Sequence, residues 1–388
     1  MKTAIICISD PYLVRGKQLK DFYTNVCHDE VIILTPDFSH RNKAYIEIDD
    51  SQIKLIHHPS YKKNLSVRRM VGHWLFARRC RLFLENYSPD RIHCLMPANS
   101  LGPEMAAYKK KNPETQLIFD VLDLWPESFP ISMGRYIPGF GLWKKLRQSA
   151  LEKADQVYTE CEFYKQFLPD SVADKAQTLY WAGIDQEPKL EQNWDSSSID
   201  IAYLGSINHI LDLDLMVSLM TCIARDKKVV FHLIGAGEKK EELCSRLRLI
   251  NNLDLIDHGE VYDSTRKQEI FNRCRFGLNL MKSHIIVALS MKSIDYFQSG
   301  LPVINNLSGD TWDFIEMYNA GYNLDADHIE IVARKIIEQS EMDNQRMRRA
   351  ARKLFLHSFS IHAFEEVLKL ETVNTNQNQW MTEPVRKG

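Results

Sequence analysis

Short apolar runs alternate along the chain with longer stretches in which apolar residues recur at helical spacing. Residues 2–8 read as a first strand, 11–16 as a turn marked by Pro11 and Gly16, and the segment to about residue 26 as a helix. Further strands are predicted at 31–34, 53–57, 91–96, 117–122 and 156–159, with helices at 65–87, 104–111 and 143–153. Such alternation predicts a parallel sheet with helices on both faces. After a polar, irregular stretch the pattern restarts. Strand 199–204 ends at Gly205-Ser206, helix 212–225 follows, and strand 229–234 ends at Gly235-Ala236-Gly237. A helix at 239–250, strands at 253–256 and 276–280, helices at 312–318 and 329–339, and a helical block at 344–372 complete the series. The fold class is therefore α/β, with Rossmann-like domains at 1–181 and 199–355 joined by a linker at 182–198. A helix at 356–372 is expected to pack back toward the first domain and close the junction, ahead of a polar tail at 373–388. Two such halves are expected to face a cleft, where ligands bind.

The stretch 283–306, SHIIVALSMKSIDYFQSGLPVINN, reads as loop, helix, tight turn and buried strand. Gly300 stands at the stop position of a helix over 288–299, and 301–304 re-enters a sheet. Lys292 and Asp295 share a face of that helix. A cation and a carboxylate beside a helix start, at the carboxyl end of a strand, suit a ligand with phosphate at one end and hydroxyls at the other.

Composition narrows the setting. The chain has 388 residues, 44% of them hydrophobic, and a net charge of −2, so nothing global points to nucleic acid. Its eight cysteines are scattered, without a CxxC pair or a Cys/His cluster at zinc spacing. The opening MKTAIICISDP is too short an apolar run for a signal peptide, and no run reaches the length of a membrane span. A cytoplasmic protein is expected.

Several motifs carry two readings. Gly235-x-Gly237 lacks the third glycine of a dinucleotide fingerprint, since position 240 is Lys240; a tight turn that brings backbone N–H groups near an anion is the simpler reading. Asp212-Leu213-Asp214 spells DxD, as does Asp325-Ala326-Asp327, but both stand where carboxylates cap helices, and no metal is expected. Asp120, Asp123 and Glu127 crowd the end of a buried strand, where one could be a base or hold acceptor hydroxyls, or where the loop is simply capped around Trp125. Residues 61–91 hold eight basic residues interleaved with aromatic and aliphatic ones. That helix either lies on an anionic membrane surface or packs an apolar stripe inward with solvated arginines.

Taken in order, Gly205-Ser206, LIGAGE, HGEV and SxKSIDYFxSGLPVINN resemble the GT-B glycosyltransferases of the retaining family 4 group. FDVLDLWPES resembles a stretch of bacterial members that build capsule, exopolysaccharide or O-antigen, and Trp181-Ala182-Gly183-Ile184-Asp185 is similar to the family's domain junction. The resemblance implies metal-independent transfer, without cofactor, from a nucleotide-diphosphate sugar, UDP-linked by default, to a glycan or lipid-linked acceptor. It implies that Asp295 holds the ribose hydroxyls, while the family's first signature Glu is replaced by Val287 and its diphosphate-binding Arg and Lys by Asn208 and His209. Lys292 would supply the missing charge, with Ser206, Ser290, Gly205, Gly235 and Gly237 completing an anion cradle. Asp123 and Lys292 are the candidate catalytic residues; Arg15, Gly16, Asp120 and Glu127 are the candidate acceptor-side residues. The resemblance thus implies an enzyme of surface polysaccharide synthesis at the inner face of the cell membrane. Two alternatives stay open, a non-catalytic scaffolding subunit and a nucleotide-sugar epimerase. So does homo-oligomerisation.

Overall fold

A computed structural model describes residues 1–64, 66–128, 139–183, 185, 187–188 and 197–380, with the side chains of 371–380 left aside. The chain forms two compact units, Met1–Leu179 and Tyr180–Gly388. Most of the expected linker, Leu65 at the expected helix start, Ile184 of the junction motif and residues 381–388 of the tail lie outside the described residues.

The first unit is built on seven parallel strands: β1 Lys2–Ile6, β2 Glu30–Pro36, β3 Ile53–Ile56, β4 Arg91–Met96, β5 Gln116–Val121, β6 Gln156–Thr159 and β7 Gln177–Thr178. Their order is β3-β2-β1-β4-β5-β6-β7, so the direction of winding reverses between β1 and β4. β4 is buried along its whole length and β5 nearly so, as central strands of a sheet covered on both faces must be. Helices α1 Asp10–Asn25, α2 Val67–Tyr87, α3 Leu101–Lys111, α4 Phe140–Leu151 and the single turn α5 Asp170–Ala173 connect them.

The first helix begins earlier than its sequence suggests. Ser9 takes the extended cap conformation and Pro11 sits in the first turn of α1, where proline loses no hydrogen bond. The expected turn at 11–16 is therefore helix, and Gly16 lies within α1 facing Cys7 and Ile5 of the first strand region.

The second unit repeats the plan with six parallel strands: β8 Ser198–Leu204, β9 Lys228–Ile234, β10 Leu253–Gly259, β11 Phe276–Asn279, β12 Val303–Asn305 and β13 Gly321–Asn323. Their order is β10-β9-β8-β11-β12-β13, with the reversal between β8 and β11. Helices α6 Leu213–Ala224, α7 Lys240–Leu247, α8 Ser264–Arg273, α9 Met291–Gln298, α10 Asp310–Tyr318 and α11 Ile329–Glu338 surround the sheet. In α6 the buried Met216, Leu219, Met220 and Ile223 follow one helical face onto the core.

Two C-terminal helices close this unit, α12 Glu341–Ser358 and α13 Ile361–Trp380. Arg348 donates to the Cys274 carbonyl at 2.9 Å and Arg352 to the Gln298 carbonyl at 2.9 Å, tying α12 to the ends of α8 and α9. Gly183 N–H donates to the Phe359 carbonyl, and Arg352 also pairs with Asp185. The terminal helix continues to Trp380, beyond the expected start of the polar tail. No glycine or proline interrupts 361–380, so the polar composition alone does not end the helix.

Candidate functional site

At the carboxyl end of the second sheet the turns after β8 and β9 interlock. Ile207 N–H donates to the Ala236 carbonyl and Lys239 N–H to the Ile207 carbonyl. Gly235 has φ +147°, and a Cβ there would stand 2.0 Å from the Gly205 carbonyl oxygen; Gly237 has φ +152°, and a Cβ would stand 2.2 Å from that of Ile207. Only glycine permits this approach. The same contacts correct the expected anion cradle. Gly205 N–H donates to the Ile234 carbonyl and Gly235 N–H to the Gly259 carbonyl, so neither amide is offered to a ligand. Their role is to shape the floor, while Ser206 stands exposed above it.

α9 starts against this floor, directly at the β8/β11 reversal. Ser290 is its cap, accepting from Ser293 N–H, and its hydroxyl also meets Asn279 Oδ1 at 3.2 Å and Ser293 Oγ at 2.9 Å. It is buried in that network. The expectation that Ser290 contacts a donor directly is therefore replaced by a capping role that fixes the start of α9.

Lys292 leaves the first turn of α9 and crosses the Gly205 backbone; a Cβ on Gly205 would lie 3.9 Å from Lys292 Cε. Its Nζ stands 4.6 Å from the Tyr203 ring centroid and donates to the Tyr203 hydroxyl at 3.2 Å. That hydroxyl in turn donates to the Ser206 carbonyl at 2.8 Å. Lys292 has no carboxylate partner among the described residues, and burial of its ammonium pushes its pKa down to about 7. Asp295, one turn further, accepts from Lys267 Nζ at 2.8 Å and is partly exposed.

Val287 packs against the apolar core of this unit, so a carboxylate there would have to be drawn out of the core. In the loop after β8, His209 is exposed and pairs with Glu238 at 3.1 Å, and Asn208 Oδ1 accepts from Ile210 N–H. Asp212 Oδ1 accepts from Leu215 N–H as the cap of α6, and Asp325 Oδ1 accepts from Asp327 N–H. The first aspartate of each DxD pair thus caps a helical start, as the capping reading expected, while Asp214 pairs with Arg246. Among the described residues no group of three or more His, Cys, Asp or Glu is placed to hold a metal ion.

The carboxylates of the first unit are not an open cluster. Asp120 is fully buried and takes the Arg15 guanidinium at 2.6 and 3.0 Å. Burial works against its charge, but Arg15 and then His93 hold its carboxyl below the usual range. Arg15, itself fully buried, also donates to the Leu179 carbonyl at 2.7 Å. Glu127 is held by both arms of Arg147 at 2.9 Å and by Lys144 at 3.1 Å. Arg15 and Asp120 thus neutralise each other within the core, and the partly exposed Glu127 is engaged by two cations. Asp123 differs. It remains partly exposed, accepts from Trp125 Nε1 at 2.8 Å and from Ser128, and burial raises its pKa above the usual carboxylate value.

Two features of α2 go beyond its sequence reading. α2 buries Gly72, His73, Phe76, Ala77, Cys80 and Leu84 on one side. On the other it exposes Val67, Met70, Val71, Trp74 and Leu75, at spacings of three and four. The apolar residues of this helix are thus two stripes, only one of them core. Arg69, read as one of many solvated arginines, is half-buried against Tyr61 and Trp125.

No family model matches the sequence, and a search of curated proteins gives no match. Solved structures do match, over nearly the whole chain. Sucrose-phosphate synthase from Thermosynechococcus elongatus superposes with a TM-score of 0.71 at 12% identity, over 99% of this chain and 100% of that one. HepE from Anabaena, solved in complex with UDP, gives 0.67 at 11% identity, over 97% and 100%. The lipopolysaccharide outer core galactosyltransferase WaaB, in its apo form, gives 0.61 at 16% identity, over 92% and 99%. The chain has the GT-B fold. In this GT-B chain both sheets are parallel, as the α/β alternation implied. At these identities the likeness establishes the fold and leaves the chemistry to the residues described above.

Proposed function

We propose that this chain is a glycosyltransferase that moves a sugar from a nucleotide-diphosphate sugar, UDP-linked by default, to a glycan or lipid-linked acceptor of surface polysaccharide synthesis. Lys292 is the observation that carries the reading. It is a cation without a counter-charge among the described residues, held at the β8/β11 reversal where α/β sheets bind ligands. A diphosphate placed beside it restores the ammonium and removes the cost of its burial. As the glycosidic bond breaks, charge grows on the leaving diphosphate, and a pre-placed ammonium with the α9 N-terminus stabilises that charge more than it stabilises the bound substrate. The Asp295 carboxylate is suited to accept ribose hydroxyls from the same helix face. These groups supply charge without a metal, and retention of configuration is the stereochemistry that the family resemblance implies.

Peripheral membrane contact through α2 fits a lipid-linked acceptor. Val67, Met70, Val71, Trp74 and Leu75 are exposed together, flanked by the exposed cations Lys62, Lys63, Arg68 and Arg78. An apolar stripe between basic residues suits an anionic lipid surface. Among the described residues no helix is long and apolar enough to cross a membrane.

Val287, packed against the core where the family resemblance places an acidic residue, favours a second reading, a GT-B subunit that binds a partner transferase and lacks activity of its own. The test is a thermal-shift panel of UDP, GDP, CMP, ADP and their sugar conjugates, first without metal and then with Mg²⁺ or Mn²⁺. A ligand that binds only the folded state raises Tm by mass action. A metal-free shift with one nucleotide, lost in Lys292→Ala, upholds the transferase. No shift with any nucleotide, together with co-purification of a second transferase, transfers the case to the subunit.

A further inference from the structure

The loops after β2 and β3 and the first turns of α1 and α2 meet at the carboxyl end of the first sheet. They bring together Lys43 and Arg69, two cations without a carboxylate partner among the described residues. The Arg69 guanidinium carbon is 5.0 Å from the Trp125 ring centroid and 5.6 Å from that of Tyr61. Its Nε donates to His73 Nε2 at 3.2 Å and one Nη to the Asn64 carbonyl at 2.9 Å. Lys43 Nζ lies 4.6 Å from the same Tyr61 ring, donates to Asn64 Oδ1 at 2.6 Å, and stands 3.4 Å from His40 Nδ1. The two cations thus share one aromatic ring and one asparagine.

The Asp10 carboxylate favours the charged forms here, but burial and mutual repulsion outweigh it. Burial and the neighbouring Arg69 both lower the pKa of Lys43. Burial, then Arg69 and Lys43, push His40 down to about 4, so it stays neutral at pH 7. His73 is buried and neutral; because its Nε2 accepts from Arg69, its Nδ1 carries the proton, and that N–H has no acceptor. The Asp10 carboxylate is already engaged by Ser39 Oγ at 2.6 Å and Arg41 N–H at 3.2 Å. A half-buried guanidinium and a partly exposed ammonium thus share one platform with an orphaned N–H, and the nearby Asp10 carboxylate is bonded to Ser39 and Arg41 rather than to either cation.

We propose that Arg69 and Lys43 bind a phosphate group of the acceptor substrate. A guanidinium fork and a point-charge ammonium beside it match a phosphate dianion in geometry and charge. Only the word acceptor rests on the glycosyltransferase reading; phosphate binding stands on the cluster itself. The phosphate can belong to a lipid headgroup or to a soluble phosphorylated glycan, which present the same oxygens.

The test is calorimetric titration of the full chain with inorganic pyrophosphate, in wild type, Arg69→Gln, Lys43→Gln and Lys292→Ala, with UDP titrated into the same four proteins. Pyrophosphate affinity is expected to fall about tenfold or more in Arg69→Gln and in Lys43→Gln, and the part of the binding that these two variants remove is expected to persist in Lys292→Ala. Should Arg69→Gln fail to fold by far-UV circular dichroism, Lys43→Gln carries the result. UDP affinity is expected to follow Lys292 and to ignore Arg69. Pyrophosphate binding unaltered in both first-unit variants overturns the proposal. UDP binding unaltered in Lys292→Ala, with the Arg69 and Lys43 effects intact, instead overturns the donor-site reading and leaves the phosphate site standing. A vesicle arm names the source. Capture by phosphatidylcholine vesicles doped with a polyprenyl phosphate, above capture by undoped vesicles, assigns a lipid acceptor. Pyrophosphate binding without that capture assigns a soluble one, and either result upholds the site.

Discussion

Lys292 makes a pH prediction that can be worked through. Its ammonium is buried beside Tyr203 with a pKa of about 7, against 10.5 for an ordinary lysine. The depressed value means that the empty protein sheds this proton as pH rises through 7. A bound diphosphate favours the charged form, so the pKa in the complex lies higher. Between the two values, binding takes up a proton, and affinity falls as pH rises. At pH 9 about 1% of empty molecules keep the ammonium, which sets an upper limit of roughly 100-fold weaker binding than at pH 6, or about 2.7 kcal/mol. Partial exposure of the side chain makes the observed loss smaller, and about tenfold is expected. UDP-glucose is the ligand to use, because a diphosphate esterified at both ends has no proton of its own to lose in this window. Calorimetry in two buffers of different ionisation enthalpy reads proton uptake directly. Uptake near pH 8 in wild type, abolished in Lys292→Ala, supports the assignment. Affinity flat from pH 6 to 9, or the same slope in Lys292→Ala, refutes it.

Other variants separate the site from its scaffold. Asp295→Ala is expected to weaken UDP about tenfold with little loss of stability, since its pair with Lys267 is partly exposed, as calorimetry and urea unfolding can check. Arg15→Ala leaves the Asp120 charge buried and alone and is expected to cost about 3–5 kcal/mol in unfolding experiments on the first unit's transition. Gly235→Ala drives a methyl into the Gly205 carbonyl and is expected to abolish UDP binding along with a large drop in Tm. Gly16→Ala meets only ordinary contacts inside α1 and is expected to raise stability by about 0.5–1 kcal/mol. Trp74→Glu places a carboxylate in the exposed stripe of α2 and is expected to reduce flotation with anionic vesicles while leaving UDP affinity unchanged.

The alternation of strands and helices was legible because burial imposes it locally. The segment of β5 is apolar enough to read as a buried strand, and Asp212 announces the start of α6 by its position alone. α8, with mostly polar residues and only Ile270 and Phe271 buried, and β13, three residues long, were not legible, since neither offers enough periodic burial to register. Charge proved the harder matter. FDVLDLWPES displays three carboxylates within eight positions, yet two are neutralised by cations far along the chain, Arg15 for Asp120 and Arg147 for Glu127. Composition reveals a charge and conceals its partner. Arg15, Arg91 and Arg147 each meet a buried or half-buried carboxylate, and each holds strands or loops together. Lys292, Lys43 and Arg69 meet none among the described residues, and they gather at the carboxyl ends of the two sheets. A cation kept out of water without a counter-charge is destabilising by itself. Under the readings proposed above, the counter-charge of Lys292 arrives with the nucleotide sugar and that of Arg69 with the acceptor phosphate.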